Sequence, residues 1–133
     1  MRTESVTIAG REYAIEELPL RRNAEWRRRL EETIDEFADV LDADLAASVS
    51  AGDVIGVIRN AGRIILRSPD TIADLVFAYS PALAADRDKL LEAAYESEII
   101  DAFAACLRLA FPFGRALALA SAIGARATPS TAT

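Results

Sequence analysis

Two carboxylate pairs have a spacing at which chemistry is conceivable. Glu98 and Asp101, like Glu32 and Asp35, stand three residues apart and so share one face of a helix. In helical bundles such pairs ligate metals when Glu-x-x-His partners complete the shell. The chain has no histidine, so both pairs read as surface acids. The same absence removes the commonest general base and every Ser-His or Cys-His nucleophile arrangement. Cys106 is the single cysteine, which excludes an internal disulfide and a cysteine-cluster metal site. It lies between Phe103 and Leu107 on an apolar stripe and reads as an inert core thiol. No Gly-rich loop leads into a lysine, and no GxSxG elbow is present. The expectation is a protein that is not an enzyme and carries no cofactor or metal.

The side chains suited to recognition cluster elsewhere. Arg21, Arg22, Arg27, Arg28 and Arg29 surround Trp26, and Trp and Arg are enriched at binding hot spots. Trp26 equally begins an apolar stripe, and packing against the hairpin is its other reading. Residues 31–58 then hold eight acids and no base, residues 59–69 hold three arginines, and residues 70–101 hold eight acids against Arg87 and Lys89. The first helix thus puts bases first and acids last, opposite to what the helix dipole favours. Local helix stability does not explain that order; a partner surface does, and so does an ordinary solvated face. Net charge is −6. An acidic run directly after the basic turn, and Asp86, Asp88 and Glu92 on the second helix of a loose helix-turn-helix outline, argue against nucleic-acid binding. Lys89 stands alone beside 14 arginines, a genomic bias rather than a phosphate-binding signature.

These residues must be positioned by a small scaffold. At 133 residues, 52% hydrophobic and 27% charged, the chain suits one folded domain. The predicted fold is mainly α: a short N-terminal β-hairpin (1–20) packed on a bundle of about five to six helices (21–123), then a flexible tail (124–133). Val6 to Ile15 reads as the hairpin, with Gly10-Arg11 as a two-residue type II′ loop. That register pairs Ile8 with Tyr13 and Val6 with Ile15, all on one face. A helix from about Arg21 to Leu41 carries the stripe Trp26, Leu30, Ile34, Phe37 and Leu41. A second, Asp53 to Leu66, carries Val54, Val57, Ile58, Ala61, Ile64 and Ile65. Gly52, Gly56 and Gly62 in or beside it suggest close helix approach or local weakness. Ser68-Pro69-Asp70 and Ser80-Pro81 are helix-start signals. The second opens a helix over Ala82 to Ala94, loosened near Asp86-Arg87-Asp88. The last long helix starts at Tyr95-Glu96-Ser97-Glu98 and stops at Pro112. Gly114 then restarts a short alanine-rich helix to about Ile123.

No secretory signal is visible, and a lone thiol suits a reducing cytoplasm. The one membrane candidate, Ala102 to Ala125, contains Arg108 and Arg115 and is broken at Pro112-Phe113-Gly114. A spanning helix needs about 20 continuous apolar residues, so no membrane span is expected.

The hairpin VTIAGREYAIEELPL, the Arg- and Glu-rich helix after it, and the late segment YESEIIDAFAACLRLAFPFG together resemble the tail assembly chaperones of long-tailed bacteriophages. The match rests on the glycine-turn hairpin with its Leu-Pro step, and on Glu98-Ile99, Ala102-Phe103 and Leu109-Ala110-Phe111-Pro112-Phe113. The resemblance spans most of residues 4–114, on motifs none of which is diagnostic alone. It implies a non-enzymatic protein of the host cytoplasm, absent from the finished virion. It implies that the partner is the long, apolar, helical tape measure protein, kept dispersed until the tail tube protein polymerises around it. A frameshifted, extended form would suit the small polar tail from Gly124. The candidate partner-binding residues are Arg22, Trp26, Arg27, Arg29, Phe111 and Phe113. A structural tail or head-tail component and a membrane-active small protein are the alternatives, and homo-oligomerisation stays open.

Overall fold

The computed structural model describes residues 1–41 and 54–111. An antiparallel hairpin, β1 (Thr3–Ile8) and β2 (Arg11–Glu16), precedes six helices among the described residues: α1 (Leu20–Glu36), α2 (Val54–Arg67), α3 (Pro69–Tyr79), α4 (Pro81–Ala84), α5 (Arg87–Ala93) and α6 (Glu96–Ala110). The predicted restart after Gly114, the tail from Gly124 and Phe113 lie outside the described residues.

The mainly α class with an N-terminal hairpin is what the sequence predicts, but the hairpin register differs. Ile8 pairs with Arg11, Val6 with Tyr13 and Glu4 with Ile15. The loop is therefore Ala9-Gly10, with φ of +53° and +77°, the two positive values of a type I′ turn. A shift of two residues preserves the faces, because side chains alternate with period two. Ile8, Tyr13 and Ile15 are buried and Val6 is half-buried. The cause is tertiary. In the expected register Ala9 would sit inside the ladder; at the turn, its N–H donates to Glu98 Oε1 of α6 at 3.2 Å.

Helix α6 is the centre of the molecule. Ala102 through Leu107, Leu109 and Ala110 are all buried, whereas Arg108 between them is exposed. It packs against α3, α2, α1 and the hairpin. Its start is closed by Glu98, whose Oε1 also accepts from Tyr95 N at 2.9 Å. Arg108 near its end reaches Glu4 of β1, with Nε at 2.8 and 2.9 Å from the two carboxylate oxygens and a second guanidinium nitrogen at 2.7 Å. The hairpin is thus tied to both ends of α6. Tyr13 OH adds a bond to Asp86 at 2.8 Å, and Arg11 an ion pair to the same carboxylate at 3.2 Å.

Several boundaries move. The α-helical part of α1 ends at Glu36, five residues before the predicted Leu41. Phe37 to Val40 continue as turns, with Val40 N bonding Phe37 O at 3.0 Å, and Phe37 and Leu41 still pack on the core. The two serine-proline starts fall where expected, with different chemistry. Ser80 Oγ accepts from Leu83 N at 3.3 Å, while Ser68 makes no side-chain cap and pairs with the Thr71 hydroxyl at 2.7 Å. The predicted helix over Ala82 to Ala94 is divided into α4 and α5 at Ala85-Asp86. Gly62 does not mark a close approach, since a Cβ there would meet nothing within 4 Å.

Candidate functional site

The aromatic side chains of the core converge on α1. Trp26 is 3% exposed, meets the Tyr79 ring edge-on at 5.1 Å and 81°, and lies 6.3 Å from the Phe103 ring. Edge-on contact is the arrangement aromatic quadrupoles favour. Its indole N–H donates to Leu75 O of α3 at 2.8 Å. Trp26 is thus a core residue of α1 packed against α3 and α6.

Around it runs a polar lattice that hydrophobic periodicity does not announce. Tyr79 OH donates to Asn23 Oδ1 at 2.8 Å and accepts from Leu18 N at 3.2 Å. Asn23 Nδ2 donates to Leu109 O at 3.3 Å, and Arg27 donates to Ala110 O at 2.7 Å. The last carbonyls of a helix have no intrahelical donor. Here α1 supplies donors to α6, and the guanidinium also complements the negative end of the α6 dipole. Arg27 further lies over the Phe111 ring at 5.9 Å, and Phe111 is 7% exposed. Burial pushes the Tyr79 hydroxyl up to about 12. It likewise pushes up the Cys106 thiol, with Glu4 adding to the effect. Both groups are held neutral, so Cys106 has no thiolate with which to act as a nucleophile.

The sequence-predicted residues therefore divide. Arg27 and Phe111 pack on each other at the end of α6. Arg22, Trp26 and Arg29 come together along one wall of a surface groove of about 370 Å³, with Glu25 between the two arginines. The rest of the lining is Leu18, Ala78, Tyr79 and Pro81. The four α1 residues recur at three and four residues, so they form one helical stripe. The wall made by Ala78, Tyr79 and Pro81 was not legible in the sequence, because it comes from chain about 50 residues later and no local pattern points to it. Asn23 was missed too, although a polar residue three before Trp26 on the apolar stripe is a signal that it needs a buried partner.

Among the described residues Arg21, Arg22, Arg28 and Arg29 are exposed and enter no ion pair. Other cations are engaged. Arg67 pairs with Asp39 at 2.9 Å, and Arg87 pairs with Asp74 at 2.8 Å and covers the Phe77 ring at 5.4 Å. A second, smaller groove of about 190 Å³ lies between α2, α3, α5 and the start of α6, with Ala73, Leu90 and Ile99 in its lining. Of the carboxylate pairs, Glu98 is committed to Ala9 and Tyr95, while Asp101, Glu32 and Asp35 are exposed. No group of three or more potential metal ligands occurs among the described residues, and none of their helices is long and apolar enough to cross a membrane. No family model, no curated protein and no solved structure matches the chain.

Proposed function

We propose that the chain is a tail assembly chaperone of a long-tailed phage or prophage. It would hold the tape measure protein dispersed in the host cytoplasm until tail tube subunits surround it. The role is binding rather than catalysis. One observation carries this reading beyond the sequence resemblance. The two segments that bear the resemblance, the hairpin and the late Glu-Ile-x-x-Ala-Phe helix, are packed on each other and joined at both ends by Ala9–Glu98 and Glu4–Arg108. Motifs whose contacting residues are 89 and 104 positions apart thus form one unit, as expected if they belong to one ancestral scaffold. The surface groove along α1 supports it as well, because amphipathic helices are recognised by laying an apolar stripe into such a groove.

Co-expression with the tape measure protein of the same genome tests the proposal. The expected result is that the tape measure protein moves from the pellet to the supernatant and co-purifies with this chain. Absence of both rescue and co-purification would overturn it. A stoichiometric copy in purified particles would instead make the chain a structural tail or head-tail component.

A further inference from the structure

The groove beside Trp26 carries a charge pattern that selects its occupant. We propose that it receives an acidic amphipathic helix from a partner protein. Two carboxylates of that helix would pair with Arg22 and Arg29, and an apolar side chain between them would lie over Leu18 and Pro81. This names the chemistry of the client segment and rests on the holding role proposed above.

Arg22 and Arg29 are seven residues apart on α1, about 10 Å along its axis at 1.5 Å per residue. Both are exposed and without ion pairs among the described residues. A helix lying along α1 presents acids at i and i+7 with the same spacing. Glu25 sits between the arginines on the same wall, so a carboxylate at the middle position is repelled and an apolar residue there is favoured. Leu18 is half-buried and Pro81 exposed, so the groove offers that residue an apolar surface facing solvent.

Other occupants fit less well. A nucleic-acid strand needs an aromatic face for its bases, but Trp26 is 3% exposed and Tyr79 fully buried. The exposed acids Glu31, Glu32, Asp35 and Glu36 continue along the same helix and would repel phosphates. A second copy that brought the acidic half of its own α1 would offer a face of charges without an apolar anchor, and exposed ion pairs alone stabilise little.

Trp26 is the only tryptophan, so its fluorescence reports on the groove directly. The probes are two helical peptides of about 18 residues with the same central leucines. One carries Glu at i and i+7, the other Lys. The acidic peptide is expected to shift Trp26 emission saturably and the basic one to leave it unchanged. R22E/R29E should melt like the wild type, bind the acidic peptide roughly tenfold more weakly or worse, and gain response to the basic peptide. No response to either peptide, equal response to both, or undiminished acidic binding by R22E/R29E overturns the proposal. So does binding of a single-stranded oligonucleotide in the groove, or a concentration-dependent dimer abolished by R22E/R29E, which would put a second copy there. If the tape measure protein still co-purifies while the peptide arms fail, the holding role survives and only the groove assignment falls.

Discussion

The Tyr79 hydroxyl donates to Asn23 Oδ1 at 2.8 Å, joining residues 56 positions apart inside the core. Neither group can reach water there, since Tyr79 is fully buried and Asn23 is 5% exposed. The pair holds α1 on α3, and through Asn23 Nδ2 and Leu109 O it holds α1 on α6. Such a lattice rewards one packing of the helices over its neighbours, because any slip leaves buried polar groups unmet.

Tyr79→Phe keeps the ring contact with Trp26 and removes the hydroxyl. Asn23 Oδ1 and Leu18 N–H then lose their partner, at a cost of about 2 kcal/mol. Urea denaturation followed by Trp26 fluorescence measures this; a change below about 0.5 kcal/mol, the level of an ordinary surface substitution, would show that the bond contributes little.

Stability should fall at alkaline pH. The folded Tyr79 hydroxyl titrates at about 12 against an ordinary value of 10.0, and the Cys106 thiol is also raised. The folded state therefore holds these protons where the unfolded chain releases them. The thiol's contribution is complete below about pH 8 and the Tyr79 contribution below about pH 9, and both are lost as pH rises from there toward 12. Denaturation midpoints measured from about pH 8 to 12 should decline across that window. The decline should be smaller in Tyr79→Phe.

At the hairpin turn, Ala9 adopts φ +53° with no glycine to make it easy. Ala9→Asn creates the Asn-Gly pair that a type I′ turn prefers and should raise stability by about 0.5–1 kcal/mol. Gly10→Ala, at φ +77°, should lower it by about 1 kcal/mol. If the loop were Gly10-Arg11 instead, Ala9 would be extended strand and Ala9→Asn would destabilise. Paired thermal melts separate the two registers.

Gly62→Ala should be stabilising. The position is inside α2, and an added Cβ meets nothing within 4 Å. Alanine gains about 0.5–1 kcal/mol over glycine in a helix interior. A lower thermal midpoint in this variant would mean that the Gly62 face packs against another surface.

Arg27→Ala should destabilise by about 1–2 kcal/mol, since it uncovers Ala110 O and removes the guanidinium from the Phe111 ring. Arg22→Ala, exposed and unpaired among the described residues, should change stability by less than about 0.5 kcal/mol. Equilibrium unfolding of the two variants side by side distinguishes a structural arginine from one free to meet a partner.

Amino-acid order alone determines the class of fold and the inward faces. Trp26, Leu30 and Ile34 recur at helical spacing, and Ile8, Tyr13 and Ile15 alternate along the strands; burial follows because each element can hide only one such face. Serine-proline pairs mark two helix starts for equally local reasons. The hairpin register, by contrast, is decided in three dimensions, because a two-residue slip leaves the apolar face unchanged and Glu98 selects between the alternatives by bonding the Ala9 amide. The roles of the arginines are decided there as well. Arg22, Arg27 and Arg29 look alike in sequence, yet about 100° of rotation per residue sends Arg27 to the carbonyl end of α6 and leaves the other two on the groove wall. The lattice of Asn23 and Tyr79 joins residues 56 positions apart, and the groove brings together equally distant chain. No local periodicity encodes which distant partner a polar side chain will find.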